Sequence, residues 1–276
     1  MTDARTADLR RRFHTLHRSG CFVSPNPWDV GSARLLAGMG FKALATTSSG
    51  YAWSTGRLDH QIIVDDALEH LFELTAAVDV PISADFEGGF AVEPADVAAN
   101  VSRAVENTAV AGLSIEDSSG DASEPLFDFT LAVERIAAAR QAMDREMSGA
   151  FLIARSEGFI AGRPDLDETI KRLTAFAEAG ADCLFAPGIR TEEQISAIVN
   201  AVAPKPVNVL VSAPFITVER LAELGVRRVS VGGALARAAW SGFLRAAREI
   251  AEQGTFKALG EAISPADLNA MFPRHP

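Results

Sequence analysis

The chain has 276 residues, 48% of them hydrophobic and 22% charged, with a formal net charge of −10. That length suits one (β/α)8 barrel, and the composition is that of an ordinary globular protein. The acidic balance argues against nucleic acid, which is bound through clustered Lys and Arg, and no apolar run approaches the ~20 residues needed to cross a bilayer.

Residues 1–20 read as an N-terminal helix, polar from Met1 to Arg12 and without the apolar core of a secretory signal. Short apolar runs then predict strands near 22–25, 42–47, 81–85, 111–116, 151–155, 182–186, 206–211 and 227–231. Helix-length segments lie between them; Ala67, Leu71, Leu74 and Val78 share one helical face, as do Ile170, Leu173 and Ala177. Asp29 and Thr191 stand at helix starts, the latter with Gln194 placed to complete a capping box. Helices end on Gly before the next strand at Gly40, Gly112, Gly180 and Gly225, a position where the left-handed conformation stops a helix. Pro81 and Pro206 give the same punctuation. Strands alternating with helices imply a parallel sheet. A doubly wound sheet would carry a Gly-rich turn after its first strand, and this chain reads Ser24-Pro25-Asn26-Pro27-Trp28-Asp29 there. The expected fold is therefore α/β, a (β/α)8 TIM barrel forming one domain over residues 1–276. Barrel strands and helices fill 21–232, and C-terminal helices fill 233–276. Cys21 and Cys183 lie far apart inside apparent strands. They read as buried thiols, which suits a reducing cytoplasm.

Carboxylates recur where the strands end. Asp85-Phe86-Glu87-Gly88-Gly89 follows Ile82-Ser83-Ala84; Glu116-Asp117 follows Leu113-Ser114-Ile115; Arg155-Ser156-Glu157 follows Leu152-Ile153-Ala154. In a parallel barrel such ends converge on the face where active sites form. Asp85 and Glu87, two apart in an extended segment, would point the same way, and hard oxygen donors suit Mg²⁺. Glu116, one strand over, can reach the same ion. Each acid has a plainer reading as a solvated turn, a cap or a surface pair. Arg155 can hold a carboxylate with two hydrogen bonds or pair structurally with Glu157 or Glu116. Thr46-Thr47-Ser48-Ser49-Gly50-Tyr51 can offer backbone N–H groups to a carboxylate or be a simple turn. Asp59 and His60 sit in a polar loop after the second strand, and Asn208 is a polar residue inside a strand that needs a partner.

These segments, with Ser32-Ala33-Arg34 and Val229-Ser230-Val231-Gly232-Gly233, occur in order from residue 21 to about 240. The chain resembles the isocitrate lyase / phosphoenolpyruvate mutase superfamily. The resemblance implies Mg²⁺ or Mn²⁺ near Asp85, with Glu87, Glu116 and Asp59 acting directly or through waters. It implies that the backbone at Ser49, Gly50 and Tyr51 holds the substrate carboxylate and that Arg155 holds the far end of the substrate. It further implies chemistry next to a pyruvate enolate, and a dimer or tetramer whose last barrel helix is exchanged between subunits. Lyases of that family carry Lys-Lys-Cys-Gly-His after the fourth strand. Here the loop reads Ser118-Ser119-Gly120-Asp121-Ala122-Ser123-Glu124-Pro125, without Cys, Lys or His. The reading that remains is a metal-dependent C–C lyase for a small anionic 2-oxo or 2-hydroxy diacid, with decarboxylation of oxaloacetate foremost. Arg155, Asp59 and His60 are its candidate catalytic residues. Ser48, Ser49, Gly50, Tyr51, Glu157 and Asn208 join Arg155 in binding substrate, and Asp85, Glu87 and Glu116 hold the metal. The alternatives are a phosphonopyruvate hydrolase or phosphonomutase, a retro-aldol lyase on a substituted malate, and a non-catalytic carboxylate-binding descendant.

Overall fold

The computed structural model describes residues 3–272; the outermost residues of the two expected terminal helices lie outside it. Eight parallel strands run β1 (Phe22–Val23), β2 (Leu44–Ala45), β3 (Ile82–Asp85), β4 (Gly112–Glu116), β5 (Phe151–Arg155), β6 (Cys183–Phe185), β7 (Val207–Leu210) and β8 (Arg228–Ser230). Each pairs with its neighbour in sequence from β2 to β8, and β1 pairs with β8. Between β1 and β2 the Ala45 N–H donates to the Pro25 carbonyl at 3.0 Å, so the sheet is a nearly closed barrel. Every predicted strand is present; β5 keeps its expected bounds and the others are trimmed by one to four residues where their ends run into loops.

Helices α1 (Ala4–Leu16), α2 (Val30–Gly38), α4 (Val64–Ala77), α5 (Pro94–Asn107), α6 (Phe129–Arg145), α7 (Leu166–Glu178), α8 (Glu192–Val202), α9 (Val218–Glu223), α10 (Ala234–Gln253) and α11 (Pro265–Ala270) accompany the strands. Asp29 caps α2 and Thr191 with Gln194 forms the capping box of α8, as their spacing predicts. The polar segment after β2 differs from expectation. Thr47 accepts from the Gly50 N–H and starts an additional short helix, α3 (Ser48–Ser54).

The barrel interior is filled from below. Phe13 of α1 packs edge-on against Phe22 and Phe151, and Ala111, Ile153 and Cys183 complete this apolar plug. A larger core between sheet and helices gathers the outward residues of the strands, among them Ala84, Leu113, Ile115, Leu152, Leu184 and Val229. The plug closes one end of the barrel, so a ligand can enter only where the strands end.

Two buried histidines give this fold a pH dependence remote from the strand ends. His17 stacks on Phe151, and its Nδ1 meets the Phe13 carbonyl at 2.8 Å; burial, helped by the charge of Arg228, pushes its imidazole down to about 3. His70 stacks on Tyr51, and burial pushes it down to about 4. Both are neutral when folded and titrate near 6.5 when unfolded. The stability they contribute is full above that value and is lost as pH falls toward the folded values, at about 1.4 kcal/mol per group for each pH unit. Urea unfolding between pH 6 and 5 should therefore show a shallower pH slope in His17→Gln than in the parent. An identical slope would mean that His17 accepts a proton inside the fold.

Candidate active site

The mouth of the barrel centres on Arg155, the last residue of β5. Its Nη1 meets Asp85 Oδ1 at 2.5 Å, its Nη2 meets Glu116 Oε2 at 3.1 Å and its Nε meets Glu157 Oε1 at 2.9 Å. Register explains the convergence: Glu116 and Arg155 are aligned partners across β4 and β5, and Asp85 ends the next strand. Phe185 lies under the guanidinium at 5.3 Å. Burial works against the charge of Arg155, but the three carboxylates outweigh it and hold the guanidinium protonated. Glu116, wholly enclosed, is pushed up to about 8 by burial despite Arg155 beside it. Burial likewise raises Glu157.

The other oxygen of Asp85 is fixed by Ser48, whose N–H and hydroxyl donate to Oδ2 at 3.1 and 3.0 Å. The Asp85 N–H donates to Thr46 Oγ1 at 2.8 Å. Glu157 is placed by Asp117, whose Oδ1 accepts its N–H at 2.8 Å while Oδ2 pairs with Arg172 at 3.2 Å. Asn26 ties three strand ends together. Its Oδ1 accepts from the N–H groups of Val231 and Gly232, both at 2.9 Å, and its amide donates to the Thr46 carbonyl at 2.7 Å.

The expected alternation of Asp85 and Glu87 fails. Strand β3 stops at Asp85, Phe86 turns into the outer core, and Glu87 takes a left-handed φ of 46°. Arg135 holds the following turn through the carbonyls of Gly88, Ala91 and Val92. Glu87 is thereby buried beside the cavity. Its Oε1 has no partner among the described residues, and its Oε2 is 3.7 Å from His60 Nδ1. That carboxylate raises His60 to about 9, against the opposing effect of its partial burial.

These groups surround a cavity of about 200 Å³, lined by Ser48, Ser49, Asp59, His60, Asp85, Glu116, Arg155 and Glu157 among others. Of the predicted binding residues, Gly50 and Tyr51 are not on its wall. The Gly50 N–H is spent on Thr47 Oγ1 and the Tyr51 N–H on the Thr47 carbonyl, because the segment is helical. The Tyr51 ring stacks on His70 instead. A Cβ at Gly50 would stand 2.7 Å from Thr47 Cγ2 and 3.0 Å from Trp28 Cβ, so that glycine serves packing. Asn208 lies behind the wall and donates to Ser230 Oγ at 2.9 Å.

Five carboxylates (Asp59, Asp85, Glu87, Glu116 and Glu157) thus gather in and around a space whose cationic groups are Arg155, His60 and Arg228. Among the described residues the acids are not drawn into a three-ligand metal cluster; they converge on the guanidinium. Their chemistry still fits a hard dication. Mg²⁺ takes one or two carboxylates and keeps several waters, and the buried orphan Oε1 of Glu87 and the acid excess supply that donor type.

The phosphoenolpyruvate phosphomutase family profile matches residues 13–251. The chain belongs to this family. Its members and their wider isocitrate lyase relatives are lyases and mutases. A crystal structure from Burkholderia cenocepacia J2315, provisionally described as a lyase/mutase, is 47% identical, with a TM-score of 0.93 and 96% of each chain covered. An uncharacterised protein of Mycobacterium tuberculosis (strain ATCC 25618 / H37Rv) is 34% identical over 87% of this chain and 89% of its own. Oxaloacetate decarboxylase of Pseudomonas putida (strain GB-1) is 32% identical over 85% of this chain and 82% of its own. No helix among the described residues is long and apolar enough to cross a membrane.

The sequence places Thr46 and Asn26 in notable segments without giving their roles, and it does not single out Arg135 or Arg172. Thr46, Asn26, Arg135 and Arg172 act by bonding backbone or acids that are distant in the chain. For Asn26 the available signal was its place just after a strand, between two prolines; for Arg135 and Arg172 a helix-borne arginine gives none.

Proposed function

We propose that the chain is a carbon–carbon lyase for a small 2-oxo diacid, with decarboxylation of oxaloacetate as its favoured reaction and Mg²⁺ or Mn²⁺ as its cofactor. The observation that carries the reading is the acid-clamped Arg155 at the mouth of a small polar cavity with surplus carboxylates. The relationship to an oxaloacetate decarboxylase supports it. The acidic loop Ser118–Pro125, without Lys, Cys or His, weighs against a phosphonate substrate and against a thiol proton donor.

A dication held at Asp85, with Glu87 and Glu116 in reach, would polarise the 2-oxo oxygen and offset the negative charge that develops there as the C–C bond breaks. The protein groups do the rest. Ser48 and Arg155 lock Asp85 in one rotamer, so its position needs no rearrangement during the reaction. Arg155 keeps its hydrogen bonds with Asp85, Glu116 and Glu157 and steers the departing carboxylate by its charge alone. The bonding pair of the broken C3–C4 bond passes toward the carbonyl oxygen, CO₂ leaves, and C3 then takes a proton. His60, the imidazole on the cavity wall, is assigned that proton return, with water as its relay.

Incubation with oxaloacetate should release pyruvate and CO₂ in equal amounts, faster with Mg²⁺ and suppressed by EDTA. Pyruvate and phosphate from phosphonopyruvate, or no metal-dependent turnover of any 2-oxo or 2-hydroxy diacid, would overturn the reading.

The same reading includes a homo-oligomer built on the C-terminal helices. Helix α10 buries only Ala236, and its apolar stripe of Trp240, Phe243, Leu244 and Ile250 is exposed, with Phe243 at 59%. Leu259, Ile263, Leu268 and Met271 continue that surface. Such a patch marks an interface, and exchange of these helices between subunits would cover it. Light scattering should give a dimer or tetramer, and Trp240→Glu with Phe243→Glu should shift it toward monomer. A monomeric parent protein at micromolar concentration would refute this.

A further inference from the structure

Four other sequestered arginines have partners for their terminal guanidinium nitrogens, although the Nε of Arg135 is unpaired like that of Arg228. Arg10 and Arg135 donate to backbone carbonyls, Arg172 pairs with Asp117 and Glu168, and Arg155 pairs with three acids. Arg228 differs. It opens β8 and points inward with Ser230, while Val229 between them joins the outer core. It is 4% exposed, yet its Nε has no partner, and among the described residues no carboxylate lies within ion-pair reach of it. Its guanidinium stands 5.7 Å from the centre of the Phe13 ring, at the top of the apolar plug. Beside it in register is Asn208, whose buried Oδ1 is also unpartnered. Arginine keeps its charge in such surroundings, and a buried charge that no acid pairs with directly, feeling only the longer-range pull of Asp85, is unfavourable. Arg228 also lines the same cavity as Arg155 and Asp85.

We propose that Arg228 is the floor of the substrate site, an anion subsite that receives the second carboxylate of a short diacid and so selects diacids over monoacids. This rests on the reading of the cavity as a 2-oxo diacid site. Arg155 is committed to three carboxylates of the protein, whereas the donors of Arg228 are available. The cavity, of about 200 Å³, is small. That suits a diacid of three or four carbons standing between the mouth and the floor. Phe13 and Phe151 beneath Arg228 stop a longer chain from going deeper.

The test is titration calorimetry of malonate and of propionate into the intact protein, with and without Mg²⁺, for the parent, Arg228→Met and Arg228→Lys. Malonate affinity should fall about 10- to 100-fold in Arg228→Met, the loss expected for a charge-assisted hydrogen-bond pair. Propionate binding should stay unchanged, and Arg228→Lys should recover part of the loss. Because Arg228→Met removes an uncompensated buried charge, its melting temperature should equal or exceed that of the parent. Unchanged malonate affinity overturns the proposal. So does a parallel loss for both acids with a lowered melting temperature, the mark of a structural arginine. Should Arg228→Met not fold, Arg228→Gln carries the same comparison. Inorganic phosphate binding more tightly than malonate, and lost in the same variant, would overturn the carboxylate assignment in favour of a phosphoryl subsite. Arg228-dependent malonate binding without oxaloacetate turnover sinks the lyase reading alone; turnover with Arg228-independent binding sinks the subsite alone.

Discussion

Arg155→Met is expected to abolish turnover and to destabilise the barrel by about 3–5 kcal/mol, the cost of leaving a buried charge without its partner. The effect belongs at the upper end of that range because one guanidinium serves Asp85, Glu116 and Glu157 together. Methionine keeps the packing volume and the contact with Phe185, so the loss isolates the charge. Arg155→Lys should recover part of the stability but little of the activity, since one ammonium cannot reproduce a planar three-way fork. Without the clamp Asp85 also loses one of the two contacts that fix its rotamer, and loss of such preorganisation costs about 10²–10³ in rate. Urea unfolding and pyruvate release on the same samples decide the matter. An unfolding free energy equal to the parent's, with turnover intact, would remove Arg155 from the centre of the site.

The barrel was legible because its signals are local and repeated: eight short apolar runs, glycine or proline at the joins marked by Gly40, Pro81, Gly180, Pro206 and Gly225, and caps such as Asp29 and Thr191. The strand-end acids were legible for the same reason, since β-strand ends in such a fold have only one place to go. Four things were not, or were so only in part. Thr47 turned the expected backbone cradle into α3, a choice that one side-chain hydrogen bond decides. Glu87 left the strand period through a positive φ held by Arg135, which lies 48 positions away in the chain. Arg155 was foreseen either as a substrate clamp or as a partner of Glu157 or Glu116; it pairs with both and with Asp85 as well, a multiplicity that depends on three strand ends at once. Arg228 carried no signal at all, because an arginine in a barrel strand reads as a surface charge until the register turns it inward.

Asp85→Asn separates the electrostatic role of this residue from its shape and is expected to lower turnover by about 10³ or more, the several kcal/mol that a positioned Lewis acid supplies. Asparagine keeps the side-chain outline and one acceptor oxygen, so Ser48 or Arg155 retains a partner but not both. The amide also removes one unit of negative charge from the acid cluster. Mg²⁺ should therefore raise the melting temperature of the parent by mass action and raise that of the variant much less. The expected loss of stability without metal is smaller than for Arg155→Met, because Arg155 keeps Glu116 and Glu157. Differential scanning calorimetry across a Mg²⁺ titration, paired with turnover, checks both parts. A variant that keeps the parent's Mg²⁺-dependent shift and its rate would move the cation away from Asp85 and onto Glu87 and Glu116, the remaining carboxylates within its reach.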